Sequence, residues 1–474
     1  MENSGGPASA APAFAVLLGM CCAVSLRGAG LSASAAFAAA VLAVAGWLLL
    51  GSDRIVPGWT VAFSAVLFIS AAFSLLSLYR MEEPKAFASY VSTSGRVIAK
   101  RPWGARDAIL IKTGEGSFAA YVGREASPPE GSRVSLRGAM FDFKRARNGG
   151  FDEFLFWRGK GASKRVEVFD MRVISEPSGI SKWRGMLDMR IKDALPERMA
   201  GYMLALTVGA RDKNLTDLHR SAGTLHLLSV SGFHVGILAL VLSFIFRSGA
   251  TKVACISLFM WLYILFAGAP AGGVRAAVML QAYLLGLAAG RPSYGFNSVG
   301  IAGVLMLLYN PWCFFDVGWR LSMSAALFLS AWGPFMRRSW AHAAAVSVLV
   351  WFVTAPQSAA AFDQVPLAGL LVNIVAIPLF GLIFPAVFLM SLPSLLGLPF
   401  SSFLSVPCEY MLELWEVFSN AAAGLVPWGI GYTAPLTVFA SMLASASAAY
   451  ASGFRAWKIP FAAMIFSAFI LFLA

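Results

Sequence analysis

The sequence predicts an α-helical polytopic membrane protein with a small all-β domain inserted between its membrane helices. Hydrophobic residues make up 58% of the 474 positions and charged residues only 13%, and the mean hydropathy of +0.71 lies outside the range of soluble globular proteins. Charged residues and a period-two alternation of apolar side chains are concentrated at 80–182, which indicates a soluble β-domain there. The net charge of +13 fits a nucleic-acid partner, but basic residues also accumulate in cytoplasmic loops, so charge alone does not decide.

The first predicted domain, residues 1–80, consists of transmembrane helices. Its three apolar runs, at 10–27, 31–51 and 59–79, are close to the roughly 20 residues that a spanning helix needs. The five cysteines of the chain lie in or beside apolar segments without the spacing of metal ligands. We therefore expect them to act as small hydrophobic residues, and we predict no metal site and no cofactor.

The second predicted domain, residues 81–180, contains five short strands. They lie at 90–99, 107–112, 117–122, 133–140 and 165–173, are rich in Val, Ile and Phe, and are bounded by Gly- and Pro-containing turns. Five short strands in such a segment predict a Greek-key barrel of the oligonucleotide-binding type, an OB-like domain, although the pattern does not give the strand order.

Basic and aromatic residues alternate near the end of this domain. Single-stranded nucleic acid binds without sequence preference where cations follow the phosphates and aromatic rings stack on the bases. The alternative is that the aromatic residues pack under the barrel while the cations are merely solvated. The predicted DNA-binding residues are Lys144, Arg145, Arg147, Phe151, Trp157 and Arg158.

The rest of the chain is predicted to be helical. Residues 181–212 read as an amphipathic interfacial helix broken by Pro196, and residues 213–474 as a transmembrane domain. Proline and glycine at 270–273 and at 378–381 predict interrupted helices. The predicted spans are 226–246, 253–268, 273–290, 296–309, 318–335, 341–360, 366–391, 403–425, 434–452 and 459–473.

The basic residues between these spans predict the orientation. Alternating spans place them on one side of the membrane, which by the positive-inside rule is the cytoplasm. Residues 81–180 are then extracytoplasmic. The basic residues in question are Arg247, Lys252, Arg291, Arg337, Arg338, Arg455 and Lys458.

Polar residues inside the apolar segments are the candidates for lining a hydrated path, because such side chains are unfavourable in lipid. Asp316 and Arg320 could instead form a structural i,i+4 pair. His226 and His234 could be hydrogen-bonded interior residues, and on a helix they lie about 80° apart, which does not favour joint metal ligation. The predicted lining residues are His226, Ser229, Ser231, His234, Arg275, Asp316, Arg320, Gln357 and Asn373.

Several stretches resemble one known family. Residues 223–240, GTLHLLSVSGFHVGILAL, resemble the signature segment of the ComEC family of competence DNA-uptake channels, and NGGFD at 148–152 is similar to the motif that closes that family's N-terminal barrel-like domain. Residues 268–279, 310–322, 355–357 and 373–378 resemble further family motifs in the same order.

The resemblance implies a channel that translocates single-stranded transforming DNA across the bacterial cytoplasmic (inner) membrane during natural competence. Its implied partners are single-stranded DNA and membrane lipid, with a DNA receptor, a separate nuclease and a cytoplasmic ATP-driven translocase as further candidates, and oligomerisation stays open. Many family members carry a metallo-β-lactamase-like domain with a His-x-His-x-Asp-His motif. The four histidines of this sequence form no such motif, and no Walker-type loop occurs. We therefore expect no enzyme activity in this polypeptide.

Two alternatives stay open. The same fold could transport another anionic substrate, or it could be a membrane-embedded hydrolase that uses His226, Ser231 and His234.

Overall fold

The computed structural model divides the chain into two compact units. The helical unit comprises Met1–Leu78, Ile191–Tyr309 and Val317–Ala474, and the barrel unit comprises Tyr79–Arg190 and Asn310–Asp316. The residues that the structure describes are 11–51, 59–81, 90–145, 152–210, 212–247, 249–290, 295–333, 339–399, 402–431 and 433–473.

The chain begins with three apolar helices, as predicted: α1 (Pro12–Gly28), α2 (Ala33–Gly51) and α3 (Trp59–Arg80). The ring of Phe14 on α1 lies 4.9 Å from that of Trp47 on α2. Both rings are almost completely buried, so an aromatic core holds the first two helices together.

Five strands then form a closed barrel with the neighbour order β1-β2-β3-β5-β4. All neighbours are antiparallel except β3 and β5, which are parallel. The prediction of an OB-like barrel is confirmed. The strands are β1 (Tyr90–Trp103), β2 (Arg106–Thr113), β3 (Ser117–Gly123), β4 (Arg133–Phe141) and β5 (Lys164–Ser175).

The barrel interior is built from the inward-facing residues of every strand, including Val97, Ile111, Phe118, Leu136 and Val166. The outward positions of β2 and β3 are buried as well, because a short helix, α4 (Glu153–Gly159), covers them. The Asp152 side chain caps α4 by accepting a hydrogen bond from the Leu155 amide at 2.8 Å. This helix was not predicted.

A loop segment completes the barrel unit. Residues 310–316, which contain a short 3₁₀ helix (Pro311–Phe315), pack on α4. The Asn310 side chain donates to the carbonyl oxygens of Arg158 and Gly159 at 3.0 and 3.1 Å. Lys160 and Asp316 form an ion pair.

The remaining helices follow the predicted order. Their extents agree with the predictions within a few residues, apart from the helix Lys213–Ser221, which was not predicted, and the predicted span 226–246. They are α5 (Ile180–Ala194), α6 (Glu197–Thr207), α7 (Lys213–Ser221), α8 (Gly232–Ile245), α9 (Gly249–Phe266), α10 (Ala271–Ala288), α11 (Gly295–Tyr309), α12 (Val317–Trp332), α13 (Trp340–Phe362), α14 (Ala368–Leu395), α15 (Ser402–Leu425), α16 (Ala434–Ala451) and α17 (Ile459–Leu473). Two three-residue strands, β6 (Gln364–Pro366) and β7 (Gly429–Gly431), pair with each other.

Three details differ from the predictions. The predicted span 226–246 is a 3₁₀ helix (Leu225–Leu228), a short break and then α8. The predicted interruption at 378–381 is wrong, since α14 continues through Pro378, Pro385 and Pro393. A proline removes only its own backbone donor, and the rest of a long helix stays hydrogen-bonded. Pro270 lies at the N-cap of α10 rather than inside a broken helix.

Five helices in the described part of the chain are long and apolar enough to cross a membrane: Ala62–Arg80, Gly249–Phe266, Ala271–Ala288, Ala341–Phe362 and Ala368–Leu395. Shorter apolar helices include Pro12–Gly28, Gly232–Ile245 and Gly295–Tyr309. Large apolar side chains such as Phe244 and Leu382 stay exposed on these helices, as expected for surfaces that face lipid. The protein is therefore a multi-pass membrane protein with an inserted barrel, as the sequence predicts.

Helix α15 has a polar face that accounts for its absence from this set. Glu409, Glu413 and Glu416 are three or four residues apart and so share one face. Arg198 on α6 lies 3.0 Å from Glu416 and within 3.8 Å of the other two. Glu409 also accepts a hydrogen bond from the Met199 amide at 2.6 Å. The face is thus bound to the N-terminus of α6, which favours negative charge.

Candidate functional site

Polar residues of three helices meet on α12, and we call this group the α12 polar network. It consists of Arg275, Gly318, Arg320, Ser322, Ser324 and Gln357. Arg275 on α10 donates from Nε to the Ser322 hydroxyl and from Nη2 to the Gly318 carbonyl, both at 3.1 Å. Gln357 on α13 donates to the Ser324 hydroxyl at 2.7 Å. That hydroxyl donates to the Arg320 carbonyl at 2.9 Å.

The network lies in the interior of the helical unit. Arg275, Ser324 and Gln357 are each no more than 2% exposed, and Arg320 is half-buried. A guanidinium and an amide are tolerated there because neighbouring oxygens and donors replace water. The structure thus places two of the predicted lining residues, Arg275 and Gln357, against α12, where Arg320 contributes its backbone carbonyl to the second contact. The serines on α12 were not predicted to join them.

A second polar group contains histidines. His234 at the start of α8 is fully buried, and its Nδ1 accepts from the Ser231 backbone amide at 3.2 Å and lies 3.1 Å from the Ser231 hydroxyl. His226 is exposed and close enough to interact electrostatically with both His234 and His219. Ser229, in the break before α8, is half-buried. The predicted signature stretch therefore contains one exposed histidine, His226, and one buried histidine, His234.

His219 on α7 was missed. Its ring is fully buried, with Nε2 3.0 Å from the Tyr202 hydroxyl and Nδ1 2.8 Å from the Thr224 hydroxyl. It precedes the apolar signature stretch and lies in a short polar helix, so only its residue type could have marked it. In the described part of the chain, no three His, Cys, Asp or Glu side chains are arranged to hold a metal ion.

Asn373 belongs to this second group rather than to the α12 polar network. Its side-chain amide donates to the Gly223 carbonyl at 3.4 Å. Gly223 has φ +70°, and a Cβ there would lie 2.6 Å from the Cα of Gly369. The turn before the histidine stretch is therefore held against the start of α14 at a position that only glycine fits.

Asp316 lies in the barrel unit, where it forms an ion pair with Lys160. A lining role for Asp316 stays a prediction, as do the lining roles of the other eight residues.

The predicted DNA-binding residues lie mainly in or beside α4. Trp157 is 2% exposed and Arg158 is 9% exposed. The Trp157 indole donates to the Tyr121 hydroxyl at 2.8 Å. Burial, followed by the hydrogen bond to Glu153, raises the pKa of Tyr121. Trp157 thus helps to attach α4 to the barrel, which is the alternative considered above for the aromatic residues.

Two basic residues of this group are more accessible. Lys144 and Arg145 are exposed, and the Arg145 guanidinium lies 4.1 Å from the centre of the Phe154 ring. The Arg158 guanidinium lies 4.9 Å from the centre of the Trp312 ring. The predicted residues Arg147 and Phe151 fall outside the described residues.

These features define a class: a multi-pass membrane protein whose helical unit holds buried polar groups and whose inserted unit is a closed OB-like barrel. The family described as Competence protein matches residues 206–472, more than half of the chain. The chain belongs to this family, the ComEC family, as its motifs imply. It is also 28% identical over 261 residues to ComE operon protein 3 of Bacillus subtilis (strain 168).

That alignment covers 52% of this chain and 33% of the Bacillus relative. The chain therefore spans only about a third of the length of the relative that it matches. No solved structure matches the chain.

Proposed function

We propose that this protein conducts single-stranded transforming DNA across the bacterial cytoplasmic membrane during natural competence. Membership of the competence family supports a role in DNA uptake. The observation that carries the finer proposal is the α12 polar network, two groups of cationic, amide and hydroxyl side chains that contact different sides of α12 and are buried among apolar helices. A polyanion does not cross hydrocarbon, so its path needs such groups.

The network offers two kinds of interaction to a passing strand. Guanidinium groups of Arg275 and Arg320 favour phosphate oxygens through charge and forked donors. Gln357 and Ser324 supply neutral donors and acceptors, which bind weakly enough for the strand to move on. The exposed ring of His226 and the neighbouring Ser229 add a second polar surface in the same family-matched region.

The barrel unit, in this proposal, lies outside the cytoplasm and receives the DNA. The basic loops of the helical unit support this orientation, because positive loops stay in the cytoplasm. A separate nuclease and a cytoplasmic translocase would supply the single strand and the pulling force.

The test is DNA uptake in a competent bacterium that lacks its own uptake channel and expresses this chain. Ser324→Ala removes the hydroxyl that accepts from Gln357, and Gln357→Leu removes its donor. Each should lower nuclease-protected uptake by about tenfold, the effect of roughly one lost buried hydrogen bond. Ser330→Ala is the matched control, since the Ser330 hydroxyl also donates to a carbonyl four residues earlier on α12, at 2.7 Å.

Membrane abundance of each variant is measured in parallel, so that loss of protein is not read as loss of conduction. Uptake at the unaltered level in both network variants, at equal abundance, would remove the proposal that DNA passes this network. Uptake of another anion but not of DNA would favour the transporter alternative.

A further inference from the structure

The face of the barrel that OB folds commonly use for ligands is covered in this protein. OB folds bind oligonucleotides mainly on strands 2 and 3. Here the outward residues Ala108 and Leu110 of β2 and Ala119 of β3 are at most 5% exposed, beneath Trp157 and Phe143. A nucleic acid could reach this face only by displacing α4.

The opposite side of the barrel, formed by outward residues of β1, β4 and β5, is open and carries aromatic rings. We call it the β1–β4–β5 face. Tyr90 is 71% exposed, Phe169 67% and Phe141 42%. The rings of Tyr90 and Phe169 are 6.3 Å apart. The Arg165 guanidinium lies 5.7 Å from the centre of the Phe141 ring. Three neighbouring strands therefore each present one solvent-facing ring.

Strand register places small residues between these rings. Tyr90 is opposite Ala139 and Ser94 is opposite Ser135 in the β1–β4 pair, and Phe141 is opposite Arg165 in the β4–β5 pair. Phe169 lies at a bulge in β5, between the partners of Arg137 and Gly138. Because Ala139 is short, it leaves the Tyr90 ring uncovered on its β4 side.

The face is also cationic. Arg137 is opposite Ser92 in β1 and opposite Asp170 in β5, and Arg172 lies 3.4 Å from Asp170 as an exposed pair, which contributes little to stability. The outward charged residues are Arg133, Arg137, Arg165 and Arg172 against Glu167 and Asp170. Arg133 and Arg137 form no ion pair with any other described residue.

We propose that the β1–β4–β5 face, rather than the α4 side, is where this protein binds single-stranded nucleic acid. Bases that are free of a duplex stack on Tyr90 and Phe169, and phosphates lie near Arg133 and Arg137. The cationic excess within the face favours a polyanion. The proposal rests on the proposed function, since it assigns the receiving surface for the same DNA.

The experiment measures fluorescence anisotropy of a labelled oligothymidylate with the full chain in nanodiscs of zwitterionic lipid, over a salt series. Tyr90→Ala and Phe169→Ala should each weaken binding by about tenfold, because one stacked base is worth roughly 1–3 kcal/mol. Arg137→Ala should weaken binding and reduce the slope of log affinity against log salt by about 0.7. Arg124→Ala is the matched control, an exposed arginine of the same unit that donates to the Gly104 carbonyl and lies off this face.

Both aromatic side chains are about two-thirds or more exposed, so the variants should keep the unaltered thermal midpoint, and this is checked first. Trp157→Ala serves as the contrast, since it removes buried packing and should lower the thermal midpoint of the barrel. Weaker oligothymidylate binding in the face variants but not in Arg124→Ala supports the proposal.

Unchanged oligothymidylate binding in the face variants overturns the proposal that the β1–β4–β5 face binds nucleic acid, and it does not affect the channel proposal. The same proposal alone is overturned if the unaltered chain does not bind oligothymidylate but still imports DNA through the α12 polar network. If the face variants lose binding to phosphatidylglycerol vesicles but bind oligothymidylate normally, the face is a lipid contact instead. Absence of both binding and import would remove both proposals.

Discussion

Three buried polar side chains of the helical unit are held by specific neighbours. Arg275 has its acceptors on α12, His219 has hydroxyl partners on both ring nitrogens, and the Nδ1 of His234 faces Ser231. An unmade hydrogen bond is more unfavourable at such positions than in water. At the residue scale, these side chains therefore fix the geometry of the helices around them whatever else they contact.

Replacement of Arg275 by lysine should show that the forked shape of the side chain matters and not only its charge. Arg275 donates to Ser322 and Gly318 from two different nitrogens, whereas a single ammonium cannot reproduce that fork. We expect Arg275→Lys to destabilise the protein by about 1–3 kcal/mol, the effect of a buried acceptor left without its donor. The measurement is the thermal midpoint in detergent micelles.

Arg247→Lys is the control for this substitution, because Arg247 is exposed at the end of α8. Its thermal midpoint should stay at the unaltered value. Equal midpoints for the two variants would contradict the assignment of Arg275 as a link between α10 and α12.

Asp107 in β2 should make the barrel sensitive to acid. Burial alone would raise the pKa of Asp107, but the neighbouring Ser127 hydroxyl and the Lys100 ammonium, 3.1 Å from the carboxylate, outweigh burial and lower the pKa below its usual value. A lowered folded-state pKa stabilises the fold above the unfolded-state value of about 3.9. This contribution is lost as the pH falls through the folded-state pKa.

Hydrogen–deuterium exchange of peptides covering β2 and β3 in the full chain, corrected for intrinsic rates, measures this loss. Asp107→Asn should exchange faster than the unaltered chain near neutral pH and lose less protection on acidification. Asp170→Asn changes an exposed carboxylate of the same unit and should keep the unaltered profile. An identical acid response in all three proteins would be evidence against a stabilising role for Asp107.

At the scale of elements, apolar periodicity in the sequence predicts the barrel strands and the long helices well. In β4 the buried residues recur at every second position from Val134 to Gly138, and the apolar runs have few alternative structures in lipid. Helix α4 escaped prediction because its seven residues are too short for a helical period, and its packing against β2 and β3 depends on contacts distant in sequence. The exposure of Trp157 could not be read from the sequence for the same reason.

Close helix packing in the helical unit should depend on Gly300. A Cβ at this position of α11 would lie 2.5 Å from the carbonyl carbon of Ala13 and 2.6 Å from the Phe14 amide nitrogen, both on α1. Because those atoms are backbone, they cannot move aside without shifting the helix. We expect Gly300→Ala to destabilise the protein by about 1–3 kcal/mol, measured as a lower thermal midpoint.

Gly46→Ala on α2 provides the matched control, since no atom lies within 4 Å of its added Cβ. Alanine also favours helix by up to about 1 kcal/mol over glycine. A midpoint equal to or above the unaltered value is therefore expected for this control. A similar result for Gly300→Ala would show that α1 and α11 do not pack at this distance.

For the whole molecule, the candidate sites were only partly predictable. Unfavourable polar residues in apolar runs identified Arg275, Arg320 and Gln357, but their convergence on α12 depends on helix packing that the sequence pattern does not contain. The aromatic residues of the β1–β4–β5 face are separated by up to about eighty positions along the chain, and only the strand order brings Tyr90 and Phe169 together. Strand order is the property that the sequence left undetermined.

The last prediction concerns the orientation of the molecule: we expect the barrel unit and the loop after α8 to lie on opposite sides of the membrane. Net basic loops stay in the cytoplasm, whereas a long inserted domain can be translocated whatever its charge. The test uses a membrane-impermeant maleimide on right-side-out vesicles. The two variants are Glu115→Cys, in the exposed β2–β3 turn, and Arg247→Cys, after α8. Each is made in a protein whose five native cysteines are replaced by alanine. Position 115 should be labelled directly, and position 247 only after permeabilisation. The reverse pattern would place the barrel in the cytoplasm, where it could not meet incoming DNA before the strand has crossed the helical unit.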